Sequence, residues 1–204
     1  MKCLVLLLVM AKLATGAKIL AHFITPSVSH QAVYRNIWKE LSSRGHQVVV
    51  ITPNPFNDPR LVNLTEVDVS FSYKFVERLS AAESAEKMNE DVKLDKVFLY
   101  FLPYILDVQM QNQQVRDIYG NVNNENYDLV LVEMFYPVVY ALSHKYGCPY
   151  VGISSFSGIK PIERSVGNPS HSAAYPDAML DYDDAKTLWT RLHSVYNDIS
   201  TYLR

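Results

Sequence analysis

KILAHFITPSVSHQAVYRNIWKELSSRGHQVVVITP, residues Lys18 to Pro53, runs from an apolar segment through a short polar turn and an amphipathic segment into a second apolar segment. Lys18 to Phe23 is short and apolar, as a strand buried on both faces must be. Gln47 to Thr52 repeats that character with Val48, Val49, Val50 and Ile51 in succession. Between them Val33, Ile37 and Leu41 recur every four residues, which predicts one apolar stripe on a helix, with Tyr34, Arg35, Lys39 and Glu40 spread over its other faces. Ser29 suits the N-cap of that helix and Gly45 its C′ position. So short a connection joins parallel strands through a right-handed crossover. The predicted fold is therefore α/β: an open, Rossmann-like doubly wound sheet, mostly parallel. In such sheets ligands sit outside the carboxyl ends of the strands, where the loop Thr25 to His30 must lie, so His30 faces the default crevice.

The rest of the chain continues the pattern. Pro53 to Pro59 reads as a loop, and the alternation over Val67 to Phe71 predicts a third strand. Glu83 to Asp95 is charged and suits a solvated helix or loop. Val97 to Tyr119 carries helical spacing, with Pro103 expected to kink or split it. The aromatics Phe98, Tyr100, Phe101 and Tyr104 either pack in the core or line a lipophilic pocket, and one helix can do both on different faces. Asn121 to Asn126 marks a turn, Tyr127 to Val132 a buried strand ending at Glu133, and Pro137 to Tyr146 a helix stopped by Gly147 and Pro149. Tyr150 to Ile153 opens the next strand. Glu133 and Ser154-Ser155 thus fall on the same rim of the sheet as His30. Trp189 to Leu203 is a further helix, with Leu188, Leu192, Val195, Ile199 and Leu203 near helical spacing.

Composition narrows the function classes. A chain of 204 residues with 49% hydrophobic content suits a single core of ordinary size, and the net charge of -2 with no basic block argues against a nucleic-acid partner. Residues 1–16 read as a secretory signal peptide: Met1-Lys2 is a basic start, Leu4 to Met10 is apolar, and Ala14-Thr15-Gly16-Ala17 offers small residues for cleavage. The mature domain then runs from 17 to 204 and keeps one cysteine, Cys148, so its stability rests on packing rather than a disulfide. Asn63-Leu64-Thr65 is an N-glycosylation sequon, meaningful in the secretory compartment. The longest apolar run outside the signal, Val97 to Leu106, is about half the roughly 20 residues needed to span a bilayer. The sequence has no Cys/His cluster with metal spacing, no Gly-rich phosphate loop and no G-x-S-x-G elbow, so metal-dependent and serine-nucleophile chemistry find no support in it. His22 lies inside a strand and reads as a satisfied core residue, His46 as part of a turn; His144, His171 and His193 show no partner.

T-P-S-x-S-H-Q, followed by I-W-K-E-L, R-G-H-Q-V and a closing T-P, resembles the amino-terminal half of the membrane-bound UDP-glycosyltransferases of animals, insects in particular. The resemblance implies a GT-B amino-terminal domain that binds a small lipophilic acceptor in the lumen of the endoplasmic reticulum. The UDP-sugar co-substrate and the membrane anchor would belong to a carboxyl-terminal domain outside these residues. No cofactor is implied. It further implies an inverting transfer of a hexose or glucuronic acid, with His30 as general base and Glu133, in the setting LVLVEMFYP, as the carboxylate behind it. Ser29, Phe98, Phe101, Tyr104, Ser154 and Ser155 are the expected substrate contacts. Imidazole chemistry suits the task, because a base with a pKa near 6.5 takes a hydroxyl proton at neutral pH and a carboxylate fixes its tautomer. The sequence departs from the family at Glu133, where many members carry aspartate. One extra methylene shifts a carboxylate by about a bond length, a displacement on the order of 1 Å that can cost about a hundredfold in rate. Asp128, inside the same predicted strand, is the lower-ranked acid. The alternative reading is a catalytically silent module that holds lipophiles or pairs with full-length relatives.

Overall fold

A computed structural model of the chain describes residues 16–78, 101–155, 160–177, 180, 182 and 185–203. The chain forms two compact units, Met1–Ile153 and Ser154–Arg204. The signal peptide expected at the start lies, apart from Gly16, outside the described residues, as do Phe98, Tyr100 and the charged stretch from Glu83 to Asp95.

The first unit is built on five strands: β1 (Lys18–His22), β2 (Gln47–Thr52), β3 (Leu64–Asp68), β4 (Leu129–Glu133) and β5 (Tyr150–Ile153). Every neighbouring pair is parallel, in the order β3-β2-β1-β4-β5. The chain winds outward from β1 in one direction, then returns to the other side of β1 and winds outward again. The point where the winding reverses lies between β1 and β4. This is the doubly wound α/β sheet that the sequence predicts. β3 starts and ends earlier than expected, because the β-branched and apolar residues that follow Asp68 turn away into a helical segment at 72–78.

Helix α1 (Val28–Ser43) crosses from β1 to β2. Its N-cap is Ser27, not Ser29. Ser27 has extended backbone and its carbonyl accepts the Gln31 N–H at 3.0 Å, so the helix begins before His30 and carries that residue in its first turn. The buried side of α1 also departs from expectation. Gln31, Tyr34, Trp38 and Ser42 are buried and define the inner line, Ile37 and Leu41 flank it, and Val33 faces solvent. Aromatic area decides this: Phe23 stacks on Tyr34 with centroids 4.4 Å apart and on Trp38 at 5.2 Å, and those rings remove more surface from water than Val33 could. Gly45 ends the helix at φ +90, where a β-carbon is strained, as its predicted place required.

Alternate strand residues sort to the two faces. Ile19, Ala21, Phe23, Val48, Val50 and Leu131 pack with Tyr34 and Trp38 of α1. Ile51, Val67 and Val69 pack on the opposite face against Val115, with Ile118 and Tyr119 beside them. The last three belong to α3 (Gln113–Gly120), which follows α2 (Leu102–Gln109). The expected long helix is thus split at a point away from Pro103, and its part before Phe101 lies outside the described residues. That proline occupies the first turn of α2, where an N–H has no intrahelical partner anyway. The break falls at Asn112, whose side chain accepts the Gln114 N–H at 2.8 Å and caps α3. α3 ends on Asn121 in the left-handed region (φ 50). A 3-10 turn (Pro137–Tyr140) and α4 (Ala141–Tyr146) link β4 to β5, ending at Gly147 with φ 63.

The second unit holds α5 (Lys160–Ser165) and α6 (Leu188–Tyr202), the latter opened by a capping box between Thr187 and Thr190. The buried positions of α6 are polar. Asp198 accepts from Ser170, Ser172 and Arg164, and Ser194 donates to the Ser172 carbonyl. The helical apolar residues Leu188, Leu192 and Ile199 stay exposed. His193, read as partnerless, meets the Tyr182 hydroxyl at 2.9 Å.

Trp38 is fully buried between Phe23 and the ring of Phe56, while its indole N–H has no acceptor. Trp38→Ala should lower unfolding free energy by about 3–5 kcal/mol in urea titrations. Trp38→Phe, which removes the orphaned donor along with part of the ring, should lose clearly less. Equal losses would show that the packing argument is wrong.

Candidate active site

His30 and Glu133 are separated by 103 residues in sequence and meet at the switch between β1 and β4. Glu133 is the last residue of β4 and is completely buried. Its Oε1 lies 3.0 Å from His30 Nδ1 and accepts the Tyr34 hydroxyl at 3.2 Å; its Oε2 accepts the Thr25 N–H at 2.9 Å. A carboxylate only accepts, so His30 Nδ1 must carry hydrogen and the ring exchanges its other proton at Nε2. The His30 side chain is 23% exposed and Glu133 0%. The imidazole therefore sits at the mouth of the crevice with the acid behind it. The extra methylene of glutamate does not break the pair, since the carboxylate reaches Nδ1 at ordinary hydrogen-bond distance. Phe135 covers one side of the imidazole, centroids 5.6 Å apart.

Two buried amides hold the segment between β1 and α1. Gln31 Nε2 donates to the Phe23 carbonyl at 3.2 Å and the Thr25 carbonyl at 2.8 Å, while its Oε1 accepts from Thr52 Oγ1 at 3.0 Å. Gln109, from α2, donates to the Ile24 carbonyl at 2.8 Å and presents Oε1 to His22 Nε2 at 2.9 Å. His22 Nδ1 in turn meets the Tyr119 hydroxyl at 2.9 Å. His22 is thus the satisfied core histidine that its place in the strand suggests. Burial is the main influence on it and lowers its pKa to about 4; the Gln109 hydrogen bond and the nearby Glu133 charge act the other way.

The remaining predicted residues scatter. Ser29 is exposed in the first turn of α1, its Oγ 3.0 Å from that of Ser27. Phe101 is half-buried just before α2, and Tyr104 is 41% exposed with its ring edge against Phe75. Ser154 and Ser155 follow β5 and belong to the second unit. Asp128 lies before β4, not within it, at the opposite end from His30, where its Oδ2 accepts the Lys18 N–H. The half-buried Cys148 has its thiol pushed up, chiefly by burial, which does not suit a nucleophile. A cavity of about 480 Å³ lies away from the pair, at the amino ends of the strands, among Lys18, Gln47, Asn63, Asp117, Glu125 and Tyr127. Among the described residues no group of three or more His, Cys, Asp or Glu side chains is placed to hold a metal ion. No described helix is long and apolar enough to cross a membrane.

Sequence reasoning missed Tyr34, Thr25, Gln31 and Gln109. Tyr34 carried a signal, since it stands one turn after His30 on the same helix face. Gln109 carried none, because only the fold brings α2 to β1.

The five-stranded, all-parallel sheet flanked by helices is consistent with the Rossmann-like amino-terminal domain of GT-B glycosyltransferases. The chain is 27% identical over its whole length to an ecdysteroid UDP-glucosyltransferase of Spodoptera littoralis nuclear polyhedrosis virus, covering 42% of that protein. Over 91% of its length it is 30% identical to the corresponding enzyme of Mamestra brassicae nuclear polyhedrosis virus, covering 37% of it. A UDP-glycosyltransferase of Dactylopius coccus is 27% identical over 91% of the chain and covered to 36%. No protein-family model matches the chain. The chain is thus similar to UDP-glycosyltransferases, and it spans about two fifths of the length of the curated relatives it matches.

The His22 site sets an acid limit on stability. Its folded pKa of about 4 lies below the ordinary histidine value of about 6.5, so between those values the unfolded chain binds a proton that the folded chain refuses. Stability should fall as pH falls through that window, by on the order of 3 kcal/mol at its lower end. Urea midpoints at pH 7 and pH 4.5 should show this slope in the native chain and a flatter one in His22→Gln. A slope unchanged by the substitution would remove His22 as its source.

Proposed function

We propose that this chain is the acceptor-binding part of an inverting UDP-glycosyltransferase, with residues 17–204 as the mature domain. The observation that carries the reading is the 3.0 Å contact between His30 Nδ1 and the buried Glu133 at the switch of the sheet. His30 Nε2 takes the proton of the acceptor hydroxyl as its oxygen bonds to the anomeric carbon. The bond from that carbon to the UDP oxygen breaks on the opposite face, and its electron pair leaves with UDP. Glu133 keeps Nδ1–H in place and stabilises the imidazolium, without itself being protonated. The names of the viral relatives support glucose as the sugar and a lipophilic, steroid-like alcohol as the acceptor. Ser29, Phe101 and Tyr104, with Phe98 outside the described residues, are the acceptor contacts proposed within the first unit. The UDP-sugar is held by polypeptide corresponding to the remaining length of the relatives.

The leader and the sequon support a secretory location, the lumen of the endoplasmic reticulum. Asn63 lies half-buried in the turn before edge strand β3, and its Nδ2 donates to the Ser42 carbonyl at 3.3 Å. A glycan there replaces one of two amide hydrogens and leaves the other for that bond.

The test joins this chain to the remaining length of the Spodoptera littoralis virus relative and assays transfer from UDP-glucose to phenols and steroid alcohols. Acceptor binding is followed by quenching of Trp38 and Trp189. His30→Ala should lower turnover by about 10²–10⁴-fold and change acceptor affinity little. Near-normal turnover in that variant refutes the base. Acceptor binding with no transfer by the parent fusion would instead support the silent binding module.

A further inference from the structure

We propose that Gln31 and Gln109 are positioning residues for the His30–Glu133 pair, a role that rests on the reading of His30 as the base: their buried amides fix the backbone whose Thr25 N–H orients Glu133. Phe23 and Ile24 are fully buried, so their carbonyls need partners inside the protein, and Thr25 beside them is half-buried. Phe23 N continues the ladder to the Ile51 carbonyl at 3.2 Å, after which the chain leaves the sheet. The next three carbonyls all receive side-chain amides, Phe23 and Thr25 from Gln31 and Ile24 from Gln109, and the Thr25 carbonyl also accepts the Ser27 N–H at 2.9 Å. Gln31 comes from the helix that carries His30 and Tyr34, and Gln109 from the opposite face of the sheet. The segment is therefore gripped from both sides.

Each amide is itself oriented. Thr52 Oγ1 accepts the Asn54 N–H at 3.0 Å and so directs its own hydrogen to Gln31 Oε1, which leaves both Nε2 hydrogens for Phe23 and Thr25. The Ile24 carbonyl only accepts, so it fixes the Gln109 nitrogen on its side and turns Oε1 toward His22, which must donate from Nε2 while its Nδ1 accepts from Tyr119. Both chains of bonds end on one backbone segment. Its Thr25 N–H is the donor to Glu133 Oε2, and Oε1 of the same carboxylate selects the His30 tautomer. Neither glutamine is in hydrogen-bond contact with His30 or Glu133, so each acts through the backbone. Both are completely buried, and a buried amide in an apolar core is costly unless every bond is made.

The experiment uses the full 204-residue chain with ¹⁵N-labelled histidine. The His30 ring shifts report which nitrogen carries hydrogen, a quantity that loss of stability alone does not move. In the native chain Nδ1–H should dominate. In Gln31→Met and Gln109→Met the ratio of Nδ1–H to Nε2–H should drop at least tenfold, about 1.4 kcal/mol, while the far-UV spectrum stays native. Thr52→Val, which frees the Gln31 amide to turn and also removes the acceptor of the Asn54 N–H, should give a smaller drop in the same direction and serves if either methionine variant fails to fold. Folded variants with native His30 shifts overturn the proposal. Glu133→Gln separates it from the underlying reading: if that change leaves the His30 shifts unmoved, the pair itself is absent, whatever the glutamines do.

Discussion

The Glu133 carboxylate is the point on which the candidate site depends. It has no exposed surface, and a charge withdrawn from water is costly unless its lone pairs are filled. Here they are filled by a backbone N–H from the segment after β1 and by the hydroxyl and the imidazole of α1. One side chain therefore ties the end of β4 to the end of β1 and to the start of the helix between β1 and β2. Removing any single donor leaves the others to hold the acid in place but changes its orientation. Removing the acid leaves three buried or half-buried polar groups facing an empty site. The arrangement is better understood as specifying a geometry than as adding net stability, since a buried ion pair seldom exceeds an apolar replacement in stability.

The winding of the sheet explains why this carboxylate and this histidine meet. In a parallel sheet every strand delivers its carboxyl end to the same edge, and only at the reversal do the connections diverge to opposite faces and leave a crevice. β1 and β4 are the two strands that flank the reversal. Residues from their ends are neighbours across more than a hundred positions of sequence because of the strand order, not because of any local preference. The cavity among the amino ends of the strands has no comparable convergence: its lysine is already paired with Glu125, and Asp117 accepts from Gln113.

Much of this was legible in the sequence. β2 and β5 fall where the apolar runs place them, Gly45 and Gly147 take the left-handed conformations that helix ends require, and Glu133 closes β4 as read. The inner strands β1, β2 and β4 announce themselves because they are buried on both faces and their hydrophobic runs are nearly unbroken. The errors have physical reasons. Periodicity counts apolar residues, so it chose Val33 over Tyr34 on α1, yet a tyrosine can bury its ring against Phe23 and still satisfy its hydroxyl on Glu133. The cap was assigned two residues late because Ser27 and Ser29 are equivalent by type, and only backbone geometry separates them. Pro103 was expected to kink or split the helix; it sits in the first turn of α2, and among the described residues the break falls at Asn112.

The misreadings of greatest consequence lie close to the proposed chemistry. Tyr34 and Gln31 occupy inner positions of α1 where an apolar stripe would be enough for stability alone, and Gln109 occupies an inner position of α2 among Ile105, Leu106 and Val108. His22 faces the same side of the sheet from a strand that otherwise reads as apolar. Natural sequences that agree with their fold at every level tend to break local rules at functional sites. In this chain several of the departures inside the first unit converge, through Thr25 and Glu133, on a single imidazole. A core assembled for stability alone has no reason to collect its buried polar groups at the one edge of the sheet where the winding reverses. The placement of the exceptions is therefore itself an argument that the crevice beside His30 is where this protein acts.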